Sequence, residues 1–484
     1  MKPANHFPYN ALPALLCLVL LTVAVNAFSA EIALRTDLFS DKPEVTLLLR
    51  DSDRIQFEVR VPILERLDGE LEGRRWDRLE ITGGGFSSET GAPEVPNFSR
   101  LIALPPSVGV RAEFQAIEST TIGGLDLMPA QGVDPTDLLA NPQPIRFDMA
   151  SYSRDLFYPQ KRIEVGDPAV SRGVRLVRLT MNPVQYNPVT REVSIAHRFR
   201  VTVYFAGADE RNIPNRQISL SSSWAKSLSE LLINYDDLDV DAGAVGSYLI
   251  VCENDANLLD LLSPFVDWKK RKGHSVTIQT FTPGASNTTI KNLIQTAYNT
   301  WPVPPEFVLL FGDVDGNYAL PGWTVGGWPS DQIDHPYSQL DGSDILADVA
   351  VGRLPADNST EAQTMINKVL FYEKMPYITD SNWYHQGVLI AGNSGSGIST
   401  IQVNRYIKTR MVQNEFTRID TFWYNMSGSV AGTLTPAINN GVSIANYRGD
   451  YQMENFYVSS IDNLTNGRKL PFVVTITCGT GGFA

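Results

Sequence analysis

Residues 248–280, YLIVCENDANLLDLLSPFVDWKKRKGHSVTIQT, decide the fold. Residues 248–252 form an unbroken apolar run, the pattern of a strand covered on both faces. Residues 258–272 read as a helix closed by Gly273, which suits the left-handed position just past a helix end. Pro264 follows Ser263 inside it, and either kinks the helix or restarts it. Residues 276–280 form the next strand. The alternation continues downstream, with a helix over 289–298 and strands over 307–311, 349–353, 388–391, 442–446 and 472–477. Further helices fit over 360–374 and 401–415. Apolar strands separated by helices predict an α/β domain with a mostly parallel, doubly wound sheet. Chemistry in such a sheet is expected beyond the carboxyl ends of the strands.

Upstream the period changes to two. Phe199, Val201, Val203 and Phe205 alternate with Arg198, Arg200, Thr202 and Tyr204, and Val108, Val110, Ala112 and Phe114 repeat the pattern. Such runs are strands with one buried and one wet face. Residues 31–235 are therefore expected to form an antiparallel β domain. Near its end, 206–222 is polar, and Trp224, Leu228, Leu231 and Leu232 give a short amphipathic helix. The acidic stretch 236–247 reads as a linker, which leaves 248–484 to the α/β domain.

Residues 1–30 carry a single charge, Lys2, then an apolar run over 12–25 and small residues at Ala27 and Ala30. This is the pattern of a secretory signal peptide. The run is shorter than the roughly 20 residues of a spanning helix, and no later run reaches that length. The mature chain is expected to be secreted or at the cell surface, without a transmembrane segment.

The chain has 484 residues, a net charge of −13, three cysteines and five histidines. So few cysteines exclude a disulfide scaffold. The acidic balance excludes nucleic acid as the main partner, because phosphate binding needs a clustered positive surface.

Several groups sit at strand ends. Gly312 to Asn317 has oxygens spaced as in a calcium loop, but Tyr318 and Thr324 occupy positions where an EF-hand needs Gly and Glu. A turn built by Asp and Gly is the alternative. Gly392 to Gly397 is glycine-rich without a phosphate-loop spacing. Asp348 opens a buried strand, where Arg353 or backbone donors could pair it. Cys478 closes the 472–477 strand ahead of Gly479-Thr480-Gly481-Gly482, whose amides could face an oxyanion. It is either a nucleophile or a small buried apolar residue. Cys252 has a similar place but precedes Glu253 and Asp255, whose charge disfavours a thiolate.

Residues 441–484, GVSIANYRGDYQMENFYVSSIDNLTNGRKLPFVVTITCGTGGFA, resemble the core of the gingipain family of secreted, caspase-like cysteine endopeptidases. That pattern has a strand ending N-Y-x-G-H-G, a segment with L-x-N and L-P-F, and a strand ending in Cys and x-x-G-x-F. FVLLFGDVDG, the LDGSD turn, ADVAVGRLPA, SYLIV and WKKRKGHSV are similar to other blocks of the family, in order. The β half, with GAPEVPNFSRLIALPP, resembles the family's propeptide. The resemblance implies a zymogen that acts on proteins or peptides, with Cys478 as nucleophile and no required cofactor, a structural calcium aside. It places Gly449 before the catalytic histidine, where its N–H serves the oxyanion, and Asp348 at a supporting acidic position. The histidine position itself is Asp450. An aspartate ionises near pH 4, so it disfavours a neighbouring thiolate and holds no proton for a leaving amine. Of the candidates His274, His335 and His385, His274 is expected at the opposite end from the site, whereas His335 could approach the cleft. The family pattern also continues past Ala484, so the sequence is expected to be truncated. The alternative to a peptidase is a catalytically inactive relative, acting as a secreted binding or structural module.

Overall fold

The computed structural model describes residues 29–33, 42–71, 74–131, 146–241, 245–326, 331–392 and 399–480. Most of the expected signal peptide, most of the Gly392–Gly397 loop and Gly481-Gly482 lie outside the described residues.

The α/β half holds two parallel sheets where the sequence pattern predicts one. In the first, β1 (Ser247–Glu253), β2 (Val276–Phe281), β3 (Pro305–Phe311) and β4 (Ala350–Leu354) lie in the order β2-β1-β3-β4. In the second, β5 (Gln386–Ala391), β6 (Arg418–Trp423), β7 (Ile444–Tyr451) and β8 (Phe472–Cys478) lie in the order β6-β5-β7-β8. All six pairings are parallel. The two sheets thus repeat one topology.

Five helices cover them: α1 (Ala256–Arg271), α2 (Asn287–Thr300), α3 (Ser359–Glu373), α4 (Ser399–Gln413) and α5 (Val430–Asn440). Along β1, Leu249 and Val251 face Ile290, Ile294 and Tyr298 of α2. Ile250 and Cys252 point to the other side, against Leu258, Leu262 and Phe265 of α1 and Ile366 of α3. The first sheet is therefore buried on both faces, which is why its strands are unbroken apolar runs. In the second sheet α5 packs on Val388, Ile390, Ala445 and Tyr447, while outer strand β8 leaves Phe472 62% exposed and Val473 and Ile476 48% exposed.

The α1 helix runs through Pro264 without restarting. Asp255 caps it by accepting from Leu258 N at 2.8 Å. Pro264 and Asp260 are both exposed, so the carbonyl that the proline leaves unpaired faces water.

The β half is antiparallel. Strand Glu192–Ala208 pairs with Arg54–Arg60 on one side and Val108–Gly123 on the other. A second sheet is built on Val174–Met181 and Pro96–Ala103. The two pack face to face through Phe57, Phe98, Leu179, Phe199 and Val201, as the period-two pattern requires. The polar 206–222 stretch is held to both halves. Arg175, fully buried in the β half, donates to carbonyls of Val108, Asp209, Arg211 and Asn212. Arg216 donates to the carbonyls of Tyr298 and Trp301 at the end of α2, and Ile218 joins the first sheet's core.

Candidate active site

Cys478 ends β8 as an exposed free thiol. Its strand partner β7 carries an irregularity between Arg448 and Tyr451, so Gly449 and Asp450 drop out of register and Tyr451 comes opposite Cys478. Beyond the pair, Gln452 N donates to the Cys478 carbonyl at 2.7 Å. The two strand ends stay tied past the point where the chain turns, and this fixes the thiol beside the bulge. Two glycines make the approach possible. A Cβ on Gly449 would lie 2.5 Å from Tyr447 Oη, and one on Gly479, whose φ is +71°, would lie 2.5 Å from the Tyr451 ring. Neither position admits a side chain without displacement.

Buried groups hold β7 from below. Asn446 Nδ2 donates to Asn404 Oδ1 at 2.8 Å, and Asn404 Nδ2 donates to the carbonyls of Ile390 and Thr400. Gly392 N donates to the Arg448 carbonyl at 2.8 Å. Tyr447 is buried and its hydroxyl accepts from Glu454 N at 3.2 Å. Burial raises the pKa of this hydroxyl; the Glu454 amide bond lowers it, and the charges of Glu454 and Asp450 add to the rise. Asp450 thus lies close enough to Tyr447 to act on it electrostatically.

Beside the thiol, a groove of about 1300 Å³ runs past Gln452, Phe456, Phe472, Val473, Gly479 and Thr480, with Tyr372 of α3 on its far wall. Cys478 is not among its lining residues.

The structure brings Cys478, Gly449 and Asp450 to one end of the second sheet. It does not bring Asp348 there. Asp348 precedes β4, at the amino end of the first sheet, and is fully buried. Its carboxylate accepts from Arg172 N at 2.9 Å, Leu340 N at 2.8 Å and Asp341 N at 2.7 Å. Burial pushes it up to about 6 against those three amide bonds, which lower it. Arg353 pairs instead with Asp334. The histidines also stay apart. His335 Nε2 lies 2.8 Å from the Ile345 carbonyl, and His274 Nδ1 2.6 Å from that of Gly246. His385 immediately precedes β5, at its amino end, against Phe416.

Cys252 is buried beside β1's carboxyl end, and burial first, then Asp255 and Glu253, push its thiol up to about 12. Within the Gly312–Asn317 segment, Asp313 Oδ1 accepts from Val314 N at 2.8 Å. Among the described residues no three His, Cys, Asp or Glu side chains gather as a metal-ligand set, and no helix is long and apolar enough to cross a membrane. The sequence pattern gave no sign of the β7 bulge or of the Asn404–Asn446 pair. Asn446, a polar residue after the apolar Ile444-Ala445, was the available signal.

Comparison with known proteins adds the lineage. Residues 241–484 match the model of Peptidase family C25, and residues 36–238 match that of Propeptide_C25. Gingipain R2 of Porphyromonas gingivalis is 26% identical over 461 residues, covering 91% of this chain and 61% of the relative. Lys-gingipain W83 of the same organism is 29% identical over 451 residues, covering 88% of this chain and 25% of the relative. The chain therefore spans about three fifths or less of the length of these relatives. Among solved structures, the Arg-specific cysteine proteinase gingipain R aligns with a TM-score of 0.44 at 23% identity, over 49% of this chain and 56% of that one. The complex of pro- and mature domains from Porphyromonas gingivalis aligns with a TM-score of 0.35 at 25% identity, over 40% of this chain and 97% of that one.

Proposed function

The chain belongs to peptidase family C25, and from that premise we propose that it is a secreted cysteine endopeptidase made as a zymogen, cleaving proteins or peptides with Cys478 as nucleophile. The observation that carries this reading is the exposed free thiol at the carboxyl end of β8, beside the β7 bulge. The Cys478 sulfur attacks the peptide carbonyl carbon, the C–N bond breaks as the proton given up by the thiol passes to the leaving amine, and water then hydrolyses the thioester to a carboxylic acid and the free thiol. Gly449 and Gly479 let Tyr447 and Tyr451 pack directly on the backbone near Cys478. The 31–235 region acts as the propeptide, and Asp348 serves the α/β half as a buried acceptor for backbone amides.

Asp450 favours a second reading, a relative that kept the fold and lost turnover. The family pattern has an imidazole where this chain has a carboxyl group, so no imidazole at that position protonates the leaving amine. Hydrolysis of a denatured protein substrate separates the two. Once its propeptide is removed, the wild type should cleave it slowly, Cys478→Ala should not, and Asp450→His should be about 100-fold faster, the low end for acid–base assistance. Equal cleavage by wild type and Cys478→Ala would sink the peptidase reading. A silent wild type with an active Asp450→His variant would establish the second.

A further inference from the structure

The β half touches the α/β half through an unusual hairpin. Strands Ala169–Ser171 and Val174–Met181 pair with Ser171 opposite Val174, leaving a two-residue turn of Arg172 and Gly173. Both have positive φ, 50° and 74°. Turns of this kind favour Asn-Gly, because a residue with a Cβ is strained at the first position. An arginine held there needs a compensating interaction. Arg172 is only 3% exposed, although it sits at a hairpin tip.

The hydrogen bonds that compensate come from the other half of the chain. Arg172 N donates to Asp348 Oδ1 at 2.9 Å. Its Nη1 donates to the carbonyls of Pro305 at 2.8 Å and Asp348 at 3.4 Å, and Nη2 to that of Pro304 at 3.4 Å. Glu306, itself fully buried, places Oε2 3.7 Å from Nη2. Ser223 Oγ holds the other Glu306 oxygen at 2.8 Å, and the guanidinium sits 5.4 Å from the centre of the Trp224 ring. The residues on either side follow. Val170 N donates to Asp344 and Ser171 Oγ to the Ala347 carbonyl. The amino ends of β3 and β4 thus form a socket of carbonyls and carboxylates around the two Nη atoms of one guanidinium, while its Nε is buried without a hydrogen-bond partner.

We infer that this socket is a recognition site for an arginine presented at the tip of a tight turn, and that Arg172 in it is the principal anchor seating the β half on the α/β half. The site lies at the amino end of the first sheet, away from Cys478, and is independent of whether Cys478 reacts. It also defines what the socket would accept once the β half has left: a segment carrying arginine on a turn. A lysine cannot replace it, because one ammonium cannot address three carbonyls and Glu306 in the plane of a fork.

The test uses the full chain with a site-specific protease site placed between Asp241 and Val245. After cutting, the two halves are diluted and their separation rate is followed by size exclusion. Asn212, which also bridges the halves by accepting from Ser343 N at 2.7 Å, is the control. Arg172→Ala should speed separation about 100-fold, the scale of a dominant interface residue, and Asn212→Ala less than about tenfold. Should Arg172→Ala fail to fold, Arg172→Lys takes its place, and at least about tenfold acceleration is expected from losing the fork. Separation no faster than wild type in the arginine variant, or no faster than in Asn212→Ala, overturns the inference.

Discussion

The first and second parallel sheets repeat one strand order, and each carries a cysteine at the carboxyl end of a strand. Their environments are opposite. Cys252 lies on a central strand under α1, fully buried. Cys478 lies on an outer strand and is exposed. The same topology and the same residue type therefore give a packing group in one sheet and a candidate nucleophile in the other. Strand position within the sheet, central or outer, makes the difference.

The comparison breaks most readily at the thiols. With its pKa pushed up to about 12, Cys252 is roughly one part in ten thousand ionised at pH 8. Iodoacetamide on the native protein at pH 8 should label Cys478 and spare Cys252, which reacts only in denaturant. Mass spectrometry of digested protein reads this directly, and equal labelling of both would erase the contrast.

Packing supplies the next test. Leu310 of β3 is fully buried on the α2 face of the first sheet, and Leu310→Ala should cost about 3 kcal/mol in urea unfolding. Val473 of β8 is half exposed, and Val473→Ala should cost less than about 1 kcal/mol. Similar losses at both sites would mean that the second sheet is as tightly enclosed as the first.

The smallest expected effect is a slope. Asp348 belongs to the first sheet, and burial raises its carboxyl from 3.8 to about 6. The folded chain therefore holds this proton more tightly than the unfolded chain. Its contribution is fully present below pH 4 and is lost as pH rises through about 6, by up to about 3 kcal/mol before other groups and water penetration reduce it. Asp348→Asn should flatten the pH dependence of stability across that window. A parallel profile would show that Asp348 does not titrate there.

The sequence made the strands of the first sheet legible because burial on both faces writes itself as continuous apolar runs. The second sheet was less so. β6, RIDTFW, mixes charged and apolar residues, and α5 contains Gly432 and Pro436, so neither element stood out. Division into two sheets was not legible, since periodicity records which residues are buried and not which strands are neighbours. For the candidate site, Cys478 and its glycines were visible from their place after a strand. Asp348 was visible as a carboxylate at the start of a buried strand, but its partner Arg172 lies 176 positions away in the chain.

Each parallel sheet is drawn from one uninterrupted run of chain, 247–354 for the first and 386–478 for the second. No strand of one is threaded between strands of the other. Either run can thus close its own hydrogen-bonded network before the other is complete, and loss of one need not unzip the other. Amide hydrogen exchange should separate them into two cooperative opening units, with the doubly covered first sheet exchanging last.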